Sequence, residues 1–240
     1  MKNFDLLSFT SADELARAAA SACLDEIAAA NHAGQSHCVA LSGGRITQKF
    51  FTSTVEQAAS RKISFARIHF FWADERCVPP TDSESNFAMA NEILFRPLQI
   101  SPEKIHRLRG EIEPQAAVAE AIHEICELAP RNKSGQPILD LIFLGMGEDG
   151  HVASLFPNAT DEIINCSLPY LSIDNSPKPP PQRITLSYAA IAAAKQVWVL
   201  VSGEGKEKVF QESVSPNGQT PLACMLQSRL QTRIFSALKS

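Results

Sequence analysis

The turn Gly145-Met146-Gly147-Glu148-Asp149-Gly150 and the His151 that follows it hold the side chains best suited to acid–base work in this chain. Imidazole is the side chain that changes charge nearest neutrality. A carboxylate two residues before it can fix its tautomer and stabilise its protonated form, as a general base requires. Three glycines in six residues let backbone N–H groups come close to a bound molecule. Read alone, such a pair is as often a solvated loop as a catalytic dyad. A second stretch, Ser42-Gly43-Gly44-Arg45-Ile46-Thr47, offers different chemistry. It lies between the apolar run Cys38–Leu41 and a helical pattern reaching Ala59, so a glycine turn would lead from a strand into a helix N-terminus. Unpaired N–H groups and the positive end of the helix dipole make that arrangement an anion site, although two adjacent glycines also suit a plain tight turn.

Both stretches need strands to carry them. Leu139, Leu141, Ile142, Phe143 and Leu144 form a nearly continuous apolar run, the pattern of a strand buried on both faces of a parallel sheet. Similar runs predict strands at Phe4–Phe9, Cys38–Leu41, Ile68–Trp72, Tyr170–Ile173, Val197–Val201 and Thr232–Leu238. Helices are predicted from the capping box at Ser11–Glu14 to just before Gly34, over Asn86–Phe95, Pro114–Leu128 and Ala189–Ala194, with a short one within Asn158–Cys166. Ser176–Pro181, with four prolines in six residues, is expected to be an extended surface segment. Strands alternating with helices imply an α/β fold, a doubly wound and mostly parallel sheet with helices on both faces. Loops at the carboxyl ends of such strands are where ligands bind. His69, inside its strand, is expected to be a packed residue rather than a ligand, and His106 and His123, which lack partners at a recognisable spacing, to be structural or surface residues.

With 240 residues and 45% hydrophobic content the chain can bury a large core, and 1–240 is expected to form a single domain. A net charge of −4 argues against a nucleic-acid or membrane-surface binder, which would carry a basic face. An anionic substrate would need a local basic cluster. Six scattered cysteines without a C-x-x-C pair point to reduced thiols and to no zinc site, and the N-terminus lacks the pattern of a signal peptide. No apolar run approaches the ~18 residues of a spanning helix. A cytoplasmic protein, a monomer or weak homodimer, is the expectation.

Residues 145–157, GMGEDGHVASLFP, closely resemble the G-x-G-x-D-G-H-[TV]-A-S-L-F-P signature of the 6-phosphogluconolactonases, which share a superfamily with the amino-sugar-phosphate isomerases and deaminases. Trp72-Ala73-Asp74-Glu75-Arg76-Cys77-Val78-Pro79, followed by Ser85-Asn86, is similar to that family's W-x-D-E-R-x-V-P element. Arg183-Ile184-Thr185-Leu186-Ser187 resembles R-[IV]-T-L-[ST], and Val201–Lys206 resembles V-x-G-x-x-K. The resemblance spans Leu41 to about Leu226 and implies a Rossmann-like fold. The activity it implies is hydrolysis of 6-phospho-D-glucono-1,5-lactone to 6-phospho-D-gluconate, the second step of the oxidative pentose phosphate pathway, without metal or cofactor.

Carried over residue by residue, it makes His151 the general base, oriented by Asp149, with Arg76 aiding charge stabilisation. The phosphate falls to Ser42, Gly43, Gly44, Arg183 and Lys206, with Arg45 added. Asp74 and Glu75 would shape the site, and the turn with Gly147 and Gly150 would supply N–H groups to the oxyanion. One departure stands out. The family has L-S-G-G-[SR]-T-P, whereas here Ile46 replaces the Thr and Thr47 the Pro, so the expected hydroxyl contact is either missing or supplied by Thr47. The related isomerases and deaminases carry a G-H-I-A-F-N-E-P type of element whose Glu moves protons. Phe156 stands where that Glu would be, which disfavours this alternative. A catalytically impaired sugar-phosphate-binding protein is the remaining alternative.

Overall fold

The computed structural model describes residues 3–238. The four terminal residues of the single domain expected for 1–240 lie outside this range. Six strands form one parallel sheet in the order β1 (Phe4–Ser8), β9 (Thr232–Ser236), β8 (Gln196–Val201), β5 (Leu141–Gly145), β2 (His37–Leu41) and β3 (Ile68–Trp72). Leu141, Ile142, Phe143 and Leu144 are all buried, so both faces of β5 are covered, as its unbroken apolar run requires. On one face the ring of Phe143 meets Phe50 of α2 (Arg45–Arg61) at 4.5 Å and Trp198 of β8 at 5.5 Å. Helix α1 (Ala12–His32) packs beside α2 and starts as its sequence requires, with Ser11 Oγ accepting the N–H of Glu14.

The chain runs outward from β2 to β3 and then returns to place β5 on the other side of β2. This reversal opens a crevice between the carboxyl ends of β2 and β5, the place where doubly wound sheets bind ligands. The other ends of these strands are tied by Asp140. It accepts the backbone N–H of Cys38 at 2.7 Å and the Lys195 ammonium at 2.6 Å, which joins the starts of β2, β5 and β8. Replacing Asp140 with Ala leaves the buried Cys38 N–H without that acceptor. Unfolding in denaturant should show a loss of about 1–3 kcal/mol, partly recovered by Asp140→Asn.

A second, antiparallel sheet was not anticipated. It has the order β4 (Asp74–Arg76), β7 (Arg183–Leu186) and β6 (Tyr170–Ile173). The three charged residues after β3 pair with β7. Helix α3 (Asn86–Ala90) and α4 (Pro114–Leu128) lie where predicted, except that the first continues as a wider π-helical turn over Asn91–Phe95. The remaining helices are α5 (Asp161–Ile164), α6 (Tyr188–Ala193), α7 (Glu207–Ser213) and α8 (Pro221–Gln227). His106 is buried rather than free at the surface. Its Nε2 lies 2.9 Å from His69 Nδ1 and its Nδ1 2.6 Å from Glu124, while its ring stacks on Phe71. Among the described residues no helix is long and apolar enough to cross a membrane, and all six cysteines are free.

Candidate active site

Strand β5 ends at Gly145, and the turn after it is closed by two backbone bonds, Gly147 N–H to His151 O at 2.9 Å and Gly150 N–H to Gly147 O at 3.1 Å. The turn folds Asp149 back onto the imidazole, with Oδ1 at 2.5 Å from His151 Nδ1 and 3.3 Å from its backbone N. A carboxylate accepts here, so Nδ1 carries the hydrogen and Nε2 keeps its lone pair, the tautomer a base needs. Burial alone would raise the Asp149 carboxyl, but the hydrogen bond and charge of His151 outweigh it and hold that carboxyl well below the usual carboxylate range. Phe156 packs on the imidazole at 4.7 Å. Gly147 is required by space. A Cβ there would sit 2.0 Å from His151 Nδ1 and 2.7 Å from Asp149 Oδ1.

His151 opens onto a cleft of about 330 Å³ at the crevice between β2 and β5. A larger cavity of about 450 Å³ lies beside α7 and α8, but it is lined mainly by apolar and neutral groups such as Val214, Pro216 and Leu226. Charge converges only on the first. The loop after β2 supplies Ser42, Gly43, Gly44 and Arg45. Its Gly44 takes φ +108 at the start of α2, a conformation open to glycine. Ser42 Oγ donates to Phe143 O at 2.8 Å and so locks this loop to β5. Lys206 precedes α7 and donates to Met146 O at 2.5 Å. Burial pushes its ammonium below the ordinary value, and the nearby Arg45 guanidinium adds to the effect.

The second sheet delivers the other cations. In the β4–β7 register Arg76 faces Arg183 and Asp74 faces Thr185. Strand residues alternate faces, so Asp74 and Arg76 line the cleft while Glu75 turns away. Two guanidiniums directly opposite one another repel, and burial together with Arg76 lowers the proton affinity of Arg183. An anion between them would remove that cost. Arg183 is also committed elsewhere. Nε donates to Pro180 O at 3.1 Å, Nη2 to Lys178 O at 3.1 Å and Pro179 O at 3.0 Å, and Nη1 to Ser154 Oγ at 3.5 Å. Of its five N–H groups, one on Nη1 is left for a ligand. Asp74 in turn accepts Ser154 Oγ at 2.7 Å.

Ten of the residues expected from the sequence therefore line one cleft: Ser42, Gly43, Gly44, Arg45, Asp74, Arg76, Gly147, His151, Arg183 and Lys206. Four do not. Asp149 lies behind His151, as an orienting group should. Thr47 donates its hydroxyl to Gly43 O at 3.0 Å inside its own helix, so it does not replace the hydroxyl lost at Ile46. Glu75 is buried and accepts from the backbone N–H groups of Arg76, Asn86 and Phe87 and from Ser85 Oγ, which pins the start of α3. Gly150 faces Thr220 and Val209 rather than the cleft. Asn86 and Ser202 line the cleft without having been singled out. Asn86, bonded to Asp74 O at 2.9 Å, had a signal in the element that follows Trp72; Ser202 had none. Among the described residues no group of three or more His, Cys, Asp or Glu side chains could hold a metal ion.

A parallel sheet with a cationic crevice and a His–Asp dyad at its switch point defines an α/β protein of the doubly wound class. The family described as glucosamine-6-phosphate isomerases/6-phosphogluconolactonase matches residues 10–234, and the chain belongs to it. Within that family it is similar in sequence to lactonases. A 6-phosphogluconolactonase of Treponema pallidum is 36% identical over 187 residues, covering 77% of this chain and 75% of the relative. One from Streptomyces coelicolor is 32% identical, covering 85% and 80%. The crystal structure of a Thermotoga maritima 6-phosphogluconolactonase superposes with a TM-score of 0.77 at 26% identity, covering 97% and 98%.

Proposed function

We propose that this chain hydrolyses 6-phospho-D-glucono-1,5-lactone to 6-phospho-D-gluconate, with His151 as the general base. The observation that carries the reading is the dyad, an imidazole held by Asp149 at 2.5 Å on the wall of a cleft with four cationic side chains, Arg45, Arg76, Arg183 and Lys206. Nε2 takes a proton from water as the water oxygen bonds to the C1 carbonyl. Negative charge moves to the carbonyl oxygen, where Arg76 stabilises it; the N–H groups of Gly147 and Gly150, expected from the sequence to share this task, are already bonded to His151 O and Gly147 O. The tetrahedral intermediate collapses by breaking the bond from C1 to the ring oxygen. The departing oxygen takes the proton back from the imidazolium, which restores the neutral base, and the new carboxylic acid releases its own proton to solvent to give the carboxylate. Ser42–Gly44, Arg45, Lys206 and Arg183 hold the phosphate and supply remote binding energy for orientation.

An amino-sugar-phosphate isomerase or deaminase would need a carboxylate where this chain has Phe156, and that ring packs against His151 and under Arg183. Free cysteines fit a reducing, cytoplasmic setting. A monomer or weak homodimer completes the proposal.

The test is hydrolysis of freshly generated 6-phosphogluconolactone, corrected for the spontaneous rate, beside glucono-1,5-lactone without the phosphate and glucosamine 6-phosphate. The phosphorylated lactone should be turned over, the unphosphorylated one with kcat/KM at least roughly 10²-fold lower, and the amino sugar not at all. Lys206→Ala should lose about 10- to 100-fold in kcat/KM for the phosphorylated lactone, the range of one lost charged hydrogen bond. Folded protein with no rate above background would overturn the reading.

A further inference from the structure

The proline-rich strap Ser176–Pro181 has no task in the reaction as drawn, yet it is fixed firmly. Ser176 N–H donates to Pro181 O at 2.9 Å, and Ser176 Oγ donates to Lys178 O at 2.8 Å. Arg183 grips the carbonyls of Lys178, Pro179 and Pro180 in succession. What this bracing fixes is the backbone that carries Lys178. Its ammonium lies 3.9 Å from Asp149 Oδ1, the oxygen that accepts His151 Nδ1–H. Lys178 is not part of the cleft wall, so whatever it does passes through Asp149.

We propose that Lys178 is a positioning residue for the lactone hydrolysis proposed above, steadying Asp149 against His151 and opposing premature protonation of the imidazole. Asp149 has one oxygen shared between a ring N–H, a backbone N–H at 3.3 Å and this ammonium. The cation holds the carboxylate ionised and in place. The same charge opposes a second positive charge on the imidazole bonded to Asp149. Other charges face the dyad. Glu148 adjoins it in the turn, Lys206 precedes α7 and interacts with both Glu148 and Asp149, and Arg183 lies over Phe156 on the imidazole side. Lys178 is the one that reaches Asp149 from the strap.

The test follows the His151 Cε1 proton by NMR through a pH titration in wild type, Lys178→Met and Lys178→Arg, beside the acid limb of kcat/KM for 6-phosphogluconolactone. Removing a positive charge makes the imidazole easier to protonate. In Lys178→Met both midpoints should therefore move to higher pH, by roughly 0.3–1 pH unit for a partly solvated pair, while Lys178→Arg follows wild type. KM should stay within about twofold, because Lys178 does not touch substrate. Thermal melts check folding, and Lys178→Gln makes the same charge change where Met is not tolerated. A His151 titration identical in wild type and the uncharged variants overturns the proposal, and so does a kcat lowered equally at every pH, the mark of a strap that merely packs. If the NMR midpoint moves but no form hydrolyses the lactone, the dyad's dependence on Lys178 stands and the assigned reaction fails.

Discussion

His151→Ala should lower kcat for 6-phosphogluconolactone by roughly 10²–10⁴-fold while leaving the affinity for 6-phosphogluconate nearly unchanged. The separation follows from where the groups sit. The phosphate contacts proposed above come from the loop after β2, from Lys206 and from Arg183, and none of these groups bonds to the imidazole. Removing the ring takes away the proton acceptor but not the grip on the remote phosphate. Isothermal titration with 6-phosphogluconate and rates with fresh lactone measure the two halves independently. An alanine variant that keeps most of the wild-type rate would dismiss His151 as the base and move attention to the carboxylate of Asp74, the other proton acceptor on the cleft wall.

Gly147→Ala should be nearly as damaging, though it adds one methyl group and removes no functional group. That methyl would fall 2.0 Å from His151 Nδ1 and 2.1 Å from Cε1, far inside contact distance. The backbone cannot give way cheaply, because Gly147 N–H is bonded to His151 O at 2.9 Å. The ring must therefore leave Asp149, and kcat should fall by roughly 10²–10³-fold with the protein still folded. Kinetics of the double variant distinguish this cause from general damage. If Gly147→Ala acts by displacing the base, adding His151→Ala should cost little more, since residues working as a unit are not additive. Additive losses would mean that the methyl acts elsewhere.

The parts of the site legible in the sequence are those that are local. Asp149 and His151 are two residues apart, so their contact needs only the turn between them, and the apolar runs beside both glycine loops identify the strands that carry them. What was hidden depends on pairing between distant segments. Asp74-Glu75-Arg76 has three charges in a row, a poor strand by propensity, and nothing nearby in sequence shows that Arg183–Leu186 lies alongside it. Without that strand the alternation that sends Glu75 away from the cleft could not be applied. Thr47 misled for a related reason, because a hydroxyl one turn into a helix can satisfy itself on the preceding carbonyl. His106 gave no signal because its partners, His69 and Glu124, lie on separate elements.

Between β3 and β4 a single buried residue, Ala73, passes the chain from one sheet to the other. Its N–H donates to Leu41 O of the parallel sheet at 2.7 Å, and its carbonyl accepts Leu186 N–H of the antiparallel sheet at 2.8 Å. A hinge needs a residue free to rotate about its backbone bonds, and Ala73 has both polar groups engaged on opposite sides. The two walls of the cleft, one bearing His151 and the other Arg76 and Arg183, are thus joined as a weld rather than an articulation. Rocking of one sheet against the other would have to break one of these two buried bonds. The bonded joint therefore ties the spacing between base and guanidiniums to the fold itself.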